Sequence, residues 1–296
     1  MKIAITGSAG LFGHGLAQVI SERHTVFAMG RPEADITKFE EVRTAFLKFR
    51  PEVVIHAAAI PSPDVCEADP AQAYLVNVLG TRHVADAANE IGAGVAYISS
   101  DSVFDGEKQT PYVESDPTIP PTVYGRTKLR SEHLVAALPR HWIFRVSVLF
   151  GPGKANFIEK GLRAMAAGKP YVVASDQMGS TLYTLDGAAK IIEVIESGRC
   201  GLYHLSNQGA CSRYELAKYA AEKANLDLSK LVGISSDQMG RRAKRLKYAV
   251  MEMRALKEAG FSLPRSWQAA LDEYLHPAGV GRRRPKQPSP HRLPRL

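Results

Sequence analysis

The sequence predicts an α/β fold, a doubly wound parallel sheet with a smaller C-terminal substrate-binding lobe. Three observations carry that expectation. Short apolar runs rich in β-branched residues alternate with longer amphipathic stretches through the first half, the pattern of a parallel sheet with helices on both faces. A glycine-rich turn, ITGSAGLFGHG, joins the first run to the first helix. The chain of 296 residues, 45% hydrophobic, is long enough to bury a large core.

KIAIT reads as the first strand and LFGHGLAQVISE as the helix after it. TVFAM follows as the second strand, then the helical ITKFEEVRTAFLKF, with Thr37-x-x-Glu40 as a capping box and Pro51 as its stop. EVVIHAA is the third strand and AQAYLVNVLGTRHVADAANEIG a long helix. GVAYISS is the fourth strand, followed by a helix from near Thr122, VYGRTKLRSEHLVAAL, which ends before Pro139. WIFRVSV is the fifth strand. After about residue 150 the rhythm loosens into YVVAS, a helix over 185–197, GLYHLS, a helix from Ser212 capped by Glu215, and MEMRALKEAGF with Gly260 as its C-cap. The expected organisation is a nucleotide-binding domain over 1–150 completed by parts of 171–200, a lobe mainly over 151–276, and a basic tail over 277–296.

Charge separates the tail from the body. The net charge is +8, but six of the 38 Lys/Arg and none of the 30 acids fall in 277–296. The body is nearly neutral, which argues against a nucleic-acid partner. Five prolines and few large apolar groups predict that the tail is disordered. A second basic run, RRAKRLK at 241–247, reads as a solvated loop, with an anionic ligand as the alternative. No apolar run is long enough to span a membrane, and no export signal precedes the first strand. Cys66, Cys200 and Cys211 are scattered and odd in number, which suits reduced thiols, a cytoplasmic location and no metal site.

Gly7, Gly10 and Gly13 stand where the first strand turns into the first helix, with Leu11 and Phe12 inside the turn. Glycines there let the backbone approach a pyrophosphate, whose charge the helix N-terminus stabilises. After the second strand comes Gly30-Arg31, where an NAD site carries an acid for the ribose hydroxyls. Arg31 suits a 2′-phosphate, so NADPH is favoured and NADH is the alternative. Asp35 and Ile36 lie near the adenine, and Ala57, Ala58 and Ala59 let a cofactor lie close to the third strand.

The fourth strand ends in Ser99, Ser100 and Asp101, at the carboxyl edge where such folds bind ligands. Tyr124 and Lys128 follow, one helical turn apart. A serine hydroxyl can hydrogen-bond a substrate carbonyl while the phenol donates a proton, and the ammonium would ease that donation by acting on the phenol. Tyr-x-x-x-Lys recurs at Tyr214/Lys218 and Tyr219/Lys223, but those pairs sit in an ordinary amphipathic helix.

Taken in order, GSAGLFG, ADIT, RPEVVIHAAA, ISSDSVFDG, TVYGRTKLRSE, IFRVSVLFGPGKANF, SDQMGS, YHLSNQGACSRYELAK and RLKYAVME resemble the extended short-chain dehydrogenase/reductases, and closely the dTDP-4-dehydrorhamnose reductase branch, over about residues 2–276. The resemblance implies a Rossmann-type domain and a catalytic triad of Ser100, Tyr124 and Lys128. It implies a nicotinamide dinucleotide along Gly7, Gly10, Gly13, Asp35, Ile36 and Ala57 to Ala59, with Tyr124 and Lys128 also touching it. It also implies that Ser100, Asp101, Ser102 and Val148 face the substrate. The implied reaction is NADPH-dependent reduction of a nucleotide-linked 4-keto-deoxysugar by a monomer or homodimer. Two alternatives stay open: an epimerase or dehydratase of the same family, and a non-catalytic NADP-binding regulatory subunit like that of methionine adenosyltransferase.

The chain departs from the branch at particular positions. Ser102 stands where the branch has tyrosine and Val148 where rhamnose-forming members have tryptophan, so the pocket loses aromatic surface. Thr181 and Leu246 replace prolines, and Gly15 replaces a glutamate that some members use for magnesium at a dimer interface. No metal is expected, and the sugar need not be the rhamnose precursor.

Overall fold

Six parallel strands form the central sheet of the computed structural model, which describes residues 1–275. The first half comprises β1 (Lys2–Thr6), α1 (Leu11–Ile20), β2 (Thr25–Met29), α2 (Phe39–Phe49), β3 (Val53–His56), α3 (Pro63–Ala68), α4 (Pro70–Tyr74), α5 (Gly80–Glu90), β4 (Gly94–Ser100), α6 (Val123–Ala136), β5 (His141–Val146) and β6 (Val148–Phe150). A π-helical turn, Leu75–Leu79, joins α4 to α5. The second half comprises α7 (Phe157–Ala166), β7 (Tyr171–Ala174), β8 (Met178–Gly179), β9 (Thr181–Tyr183), α8 (Thr184–Glu196), β10 (Gly201–Leu205), β11 (Cys211–Ser212), α9 (Arg213–Lys223), β12 (Leu231–Ile234), β13 (Tyr248–Ala249), α10 (Arg254–Glu258) and α11 (Trp267–Leu275).

The sheet order is β10-β5-β4-β3-β1-β2. The chain leaves β1 for β2 on one side and returns to β3 on the other, so a switch point opens between β1 and β3, where ligands of open α/β sheets bind. One face packs on α1, α8 and α10 through Leu16, Ile20, Ile191, Val194 and Leu256, and the other on α2 and α5 through Val42, Phe46, Val84 and Ala88. Gly15 faces α8 so closely that a Cβ would lie 2.9 Å from Thr184 Cβ, which leaves no room there for a longer side chain. A separate core around Leu216, Trp267 and Leu271 holds the C-terminal lobe together.

Three expectations are corrected. WIFRVSV is not one strand: it breaks at Ser147, and β6 leaves the sheet to pair with β9. The sixth strand, β10, lies just past the 171–200 stretch expected to complete the first domain, although α8 falls within it. The Thr37 capping box does not form, because Thr37 spends its N–H and hydroxyl on Asp35 Oδ1 at 2.9 and 2.8 Å and α2 starts after Lys38. The Ser212/Glu215 box forms with both of its bonds. The tail expected to be disordered lies outside the described residues.

Candidate active site

Prolines 117, 120 and 121 keep the chain extended before α6, and Thr122 then caps the helix, its Oγ1 accepting from Gly125 N at 3.0 Å. Glu67 accepts from Val123 N at 2.7 Å. This start sets Tyr124 and Lys128 on one face, against the end of β4. Lys128 Nζ donates to the Ile98 carbonyl at 2.5 Å and lies 4.2 Å from the centre of the Tyr97 ring. Burial pushes the ammonium down to about 7, while Glu132 works in the opposite direction.

Lys128 is held by Ile98 and Tyr97, and burial raises the pKa of the Tyr124 phenol, with the neighbouring Ser100 hydroxyl pulling it back in part. The other two pairs are structural: Tyr219 donates to Asp272 at 3.1 Å, Lys223 pairs with Asp272 at 3.0 Å, and Lys218 pairs with Glu222 at 3.8 Å.

Ser100 sits at the last position of β4, and its hydroxyl donates to Asp101 Oδ1 at 2.9 Å. Ser102 Oγ donates to the same oxygen at 3.3 Å, and Ser147 Oγ donates to Oδ2 at 2.5 Å. Three serines thus surround one half-buried carboxylate. Burial nevertheless raises the Asp101 pKa, against the lowering effect of Ser147, Ser100 and Arg213.

At the switch point Gly7 adopts φ +70°, and a Cβ on it would lie 2.7 Å from Ala58 N. On Gly13 a Cβ would meet Gly7 O at 2.1 Å. The first turn of α1 carries no acid and no side-chain cap, so its N–H groups are free to face an anion. These features fit a dinucleotide pyrophosphate. Beneath them, His56 is buried and pushed down to about 3. Thr81 Oγ1 donates to Asn77 O at 2.6 Å, so it accepts from His56 Nε2, and Nδ1 accepts from Thr6 Oγ1 at 2.6 Å. This neutral tautomer ties the alanine segment after β3 to α5.

A single cavity of about 1380 Å³ gathers the expected residues. Gly7, Gly10, Leu11, Phe12, Gly13, Arg31, Asp35, Ile36 and Ala57 to Ala59 line one end, and Ser100, Asp101, Ser102, Tyr124, Lys128 and Val148 line the middle. One acid was passed over in the sequence: Glu33 Oε2 accepts from Gly30 N at 2.7 Å and lines the wall beside Arg31.

The far end is lined by Arg213 and Lys154, which the sequence reading did not assign, and by Arg241 and Arg245 of the basic run for which an anionic ligand was the alternative. Arg213 stands over Phe157 at 5.7 Å, and burial lowers its pKa. Arg245 is held by Asp64 at 2.6 Å. Part of RRAKRLK therefore faces the cavity instead of forming a wholly solvated loop.

Comparison with known proteins agrees over the whole described length. Residues 1–279 match the RmlD substrate binding domain family. The chain is 36% identical over 276 residues to the spore coat polysaccharide biosynthesis protein SpsK of Bacillus subtilis, covering 93% of this chain and 96% of that one. It is 35% identical to a dTDP-4-dehydrorhamnose reductase of Streptomyces griseus, over 97% of this chain and 96% of the relative. A crystal structure of dTDP-4-dehydrorhamnose reductase from Bacillus anthracis in complex with NADP superposes with a TM-score of 0.89 at 32% identity, covering 92% and 98% of the two chains.

Proposed function

The chain belongs to the RmlD substrate binding domain family, and from that membership we infer that it is an NADPH-dependent oxidoreductase that reduces the ketone of a nucleotide-activated 4-keto-deoxysugar in deoxysugar biosynthesis. The observation that carries the reading is one cavity in which Ser100, Tyr124 and Lys128 stand between a glycine turn suited to pyrophosphate and a cationic end suited to a second diphosphate.

In this reading the glycine turn and Arg31 hold NADPH, which when bound supplies the hydride. Tyr124 donates the proton that the reduced carbonyl oxygen needs. Ser100 turns its hydroxyl from Asp101 to that oxygen, and Ser102 and Ser147 keep the carboxylate satisfied meanwhile. Lys128 holds its proton weakly in the ligand-free protein, and a bound substrate oxygen and ribose give that charge partners. Arg213 and Arg241 offer guanidinium groups to the sugar nucleotide diphosphate, and the absent tryptophan at Val148 leaves the sugar end open.

The reading places the enzyme in the cytoplasm, as a monomer or homodimer with no membrane or nucleic-acid partner. No described helix is long and apolar enough to cross a membrane, and Cys66, Cys200 and Cys211 form no disulfide. The domain over 1–150, whose α1 packs on α8, binds the cofactor, and the 151–276 lobe covers the sugar nucleotide. The test is NADPH consumption with a panel of nucleotide 4-ketosugars: turnover of at least one is expected, and turnover of none would overturn the assignment.

A further inference from the structure

Residues 240–247 cross from the C-terminal lobe to the nucleotide-binding half. They join the turn Ser236–Met239 to β13 without helix or strand of their own, and Gly240 starts them in the left-handed region at φ +58°. Their fastenings lie in the other half of the chain. Asp64, in the first turn of α3, accepts from Ala243 N through Oδ1 at 2.9 Å and from Arg245 Nη2 through Oδ2 at 2.6 Å. Lys244 pairs with Glu107 at 3.2 Å, and Leu246 lies so close to Gly106 that a Cβ there would be 2.9 Å from the Leu246 Cβ. α3 also reaches the helix of the proton donor, because Glu67 accepts from Val123 N, one residue before Tyr124.

Of these contacts the Asp64 pair is the sheltered one. Arg245 is 19% exposed and Ala243 is buried, whereas Lys244 and Glu107 stand at the surface. Partial burial works against the Asp64 charge, but the Ala243 N–H and the Arg245 guanidinium outweigh it, so the carboxyl lies below its usual range and is ionised at neutral pH. The same segment faces the cavity through Arg241, Arg245 and Leu246. Burial disfavours the charge of Arg213 there, Asp101 supports it, and Arg241 and Arg245 both disfavour it further. Three guanidinium groups thus crowd one end, and among the described residues Arg245 is the one of the three paired with a carboxylate. A diphosphate supplies the anionic oxygens that this end lacks.

Resting on the reductase reading, we propose that 240–247 is a strap over the sugar nucleotide and that Asp64 is its positioning residue: by holding Ala243 and Arg245, Asp64 presents the strap's guanidinium groups to the diphosphate and sets how fast the sugar nucleotide leaves. Asp64 takes one bond from Nη2 of Arg245 and the Ala243 carbonyl one from Nη1 at 3.2 Å, so the remaining N–H groups of the fork are left for phosphate oxygens. A ligand therefore tightens the latch without displacing it. Release requires the strap to swing about Gly240 and give up the Asp64 bonds.

The experiment measures dissociation of dTDP-glucose from the NADP⁺-loaded full chain by stopped-flow displacement. Asp64→Asn keeps the shape and the bond from Ala243 but removes the charge, so dissociation is expected to be about tenfold faster, with Kd raised to match. Affinity for NADP⁺, melting temperature and the single-turnover rate at saturating 4-ketosugar should stay as they are. Arg245→Gln tests the route: on that background Asp64→Asn should add nothing further, because the two residues act as one unit. Asp237→Asn, which frees Lys247 on the lobe side of the segment, is the control and should change none of these quantities. An unchanged dissociation rate in Asp64→Asn, or an effect that persists in full on the Arg245→Gln background, would overturn the strap alone. So would a fall in melting temperature with a matching loss of NADP⁺ affinity, the mark of a residue that only braces α3. Normal NADP⁺ binding with no saturable binding of dTDP-glucose or UDP-glucose by the unaltered chain would overturn the reductase reading, and the strap with it.

Discussion

Glu132 and Arg145 meet side-on in the interior, Oε1 accepting from Nε at 2.9 Å and Oε2 from Nη2 at 2.8 Å, with both side chains 5% exposed. Ser99 Oγ donates to the same Oε1 at 2.5 Å. The strand residue beside Ser100 is thereby tied to the helix that carries Tyr124, and one turn earlier Lys128 ties the same helix to Ile98. Two clamps fix α6 against the end of β4.

Glu132→Gln should therefore do two things. It should lower folding stability by about 3–5 kcal/mol, the usual cost of leaving one partner of a buried pair uncompensated. It should also move the high-pH limb of kcat/KM to lower pH, because Lys128 loses the nearby charge that favours its protonated form. A pH profile identical to that of the unaltered enzyme would show that Glu132 only braces the fold.

Tyr124→Phe removes the proton donor without changing shape, so turnover should fall by roughly 10²- to 10⁴-fold while NADPH affinity stays close to normal. Tyr214→Phe and Tyr219→Phe should leave the chemical step alone, since Tyr219 is engaged with Asp272. Single-turnover kinetics on the three variants decide between the three Tyr-x-x-x-Lys pairs.

Lys128 gives stability a defined pH dependence. Its pKa is about 7 when folded against 10.5 for the free side chain, so between those values the unfolded chain binds a proton that the folded chain has released. Unfolding free energy should rise with pH across that window, and His56, pushed down to about 3 by burial, gives a rise of the same sign at lower pH, below about 6.5. Above about pH 10 the phenols of buried Tyr97 and half-buried Tyr124, whose pKa values are pushed up, reverse the trend, because the folded chain then keeps protons that the unfolded one loses. Denaturant titrations at pH 6, 8 and 9.5 should show the rise, and Lys128→Met should flatten it.

Arg31→Ala should weaken NADPH by about tenfold or more and NADH much less, since only NADPH carries the phosphate that a guanidinium grips. Glu33→Gln should shift preference further towards NADPH by removing a carboxylate from the same wall. Cofactor titrations with both dinucleotides would reject the assignment if Arg31→Ala weakened the two equally.

What could be seen in the sequence was what local chemistry determines. KIAIT and GVAYISS are strands because β-branched runs bounded by turn residues pair well, and Tyr124 drew notice because a polar strand end precedes it. Gln177, Ser147 and Arg213 gave no such sign. Each is ordinary among its chain neighbours, and only the lobe packing over the strand ends brings all three to one wall. Thr37 shows the converse: its capping pattern was complete, but Asp35 competed for the same atoms and won.

The place of β10 has a consequence for how the protein is made. β5 is an outer strand until residues 201–205 arrive, and Ile191 and Val194 of α8 are needed to cover the same face of the sheet. On a ribosome adding about 5–20 residues per second, the stretch between the two strands takes roughly 3–11 seconds to appear. Throughout that interval the nascent sheet offers an open hydrogen-bonding edge with Trp142 and Phe144 beside it, so cofactor binding cannot lock the domain until most of the second half has been synthesised.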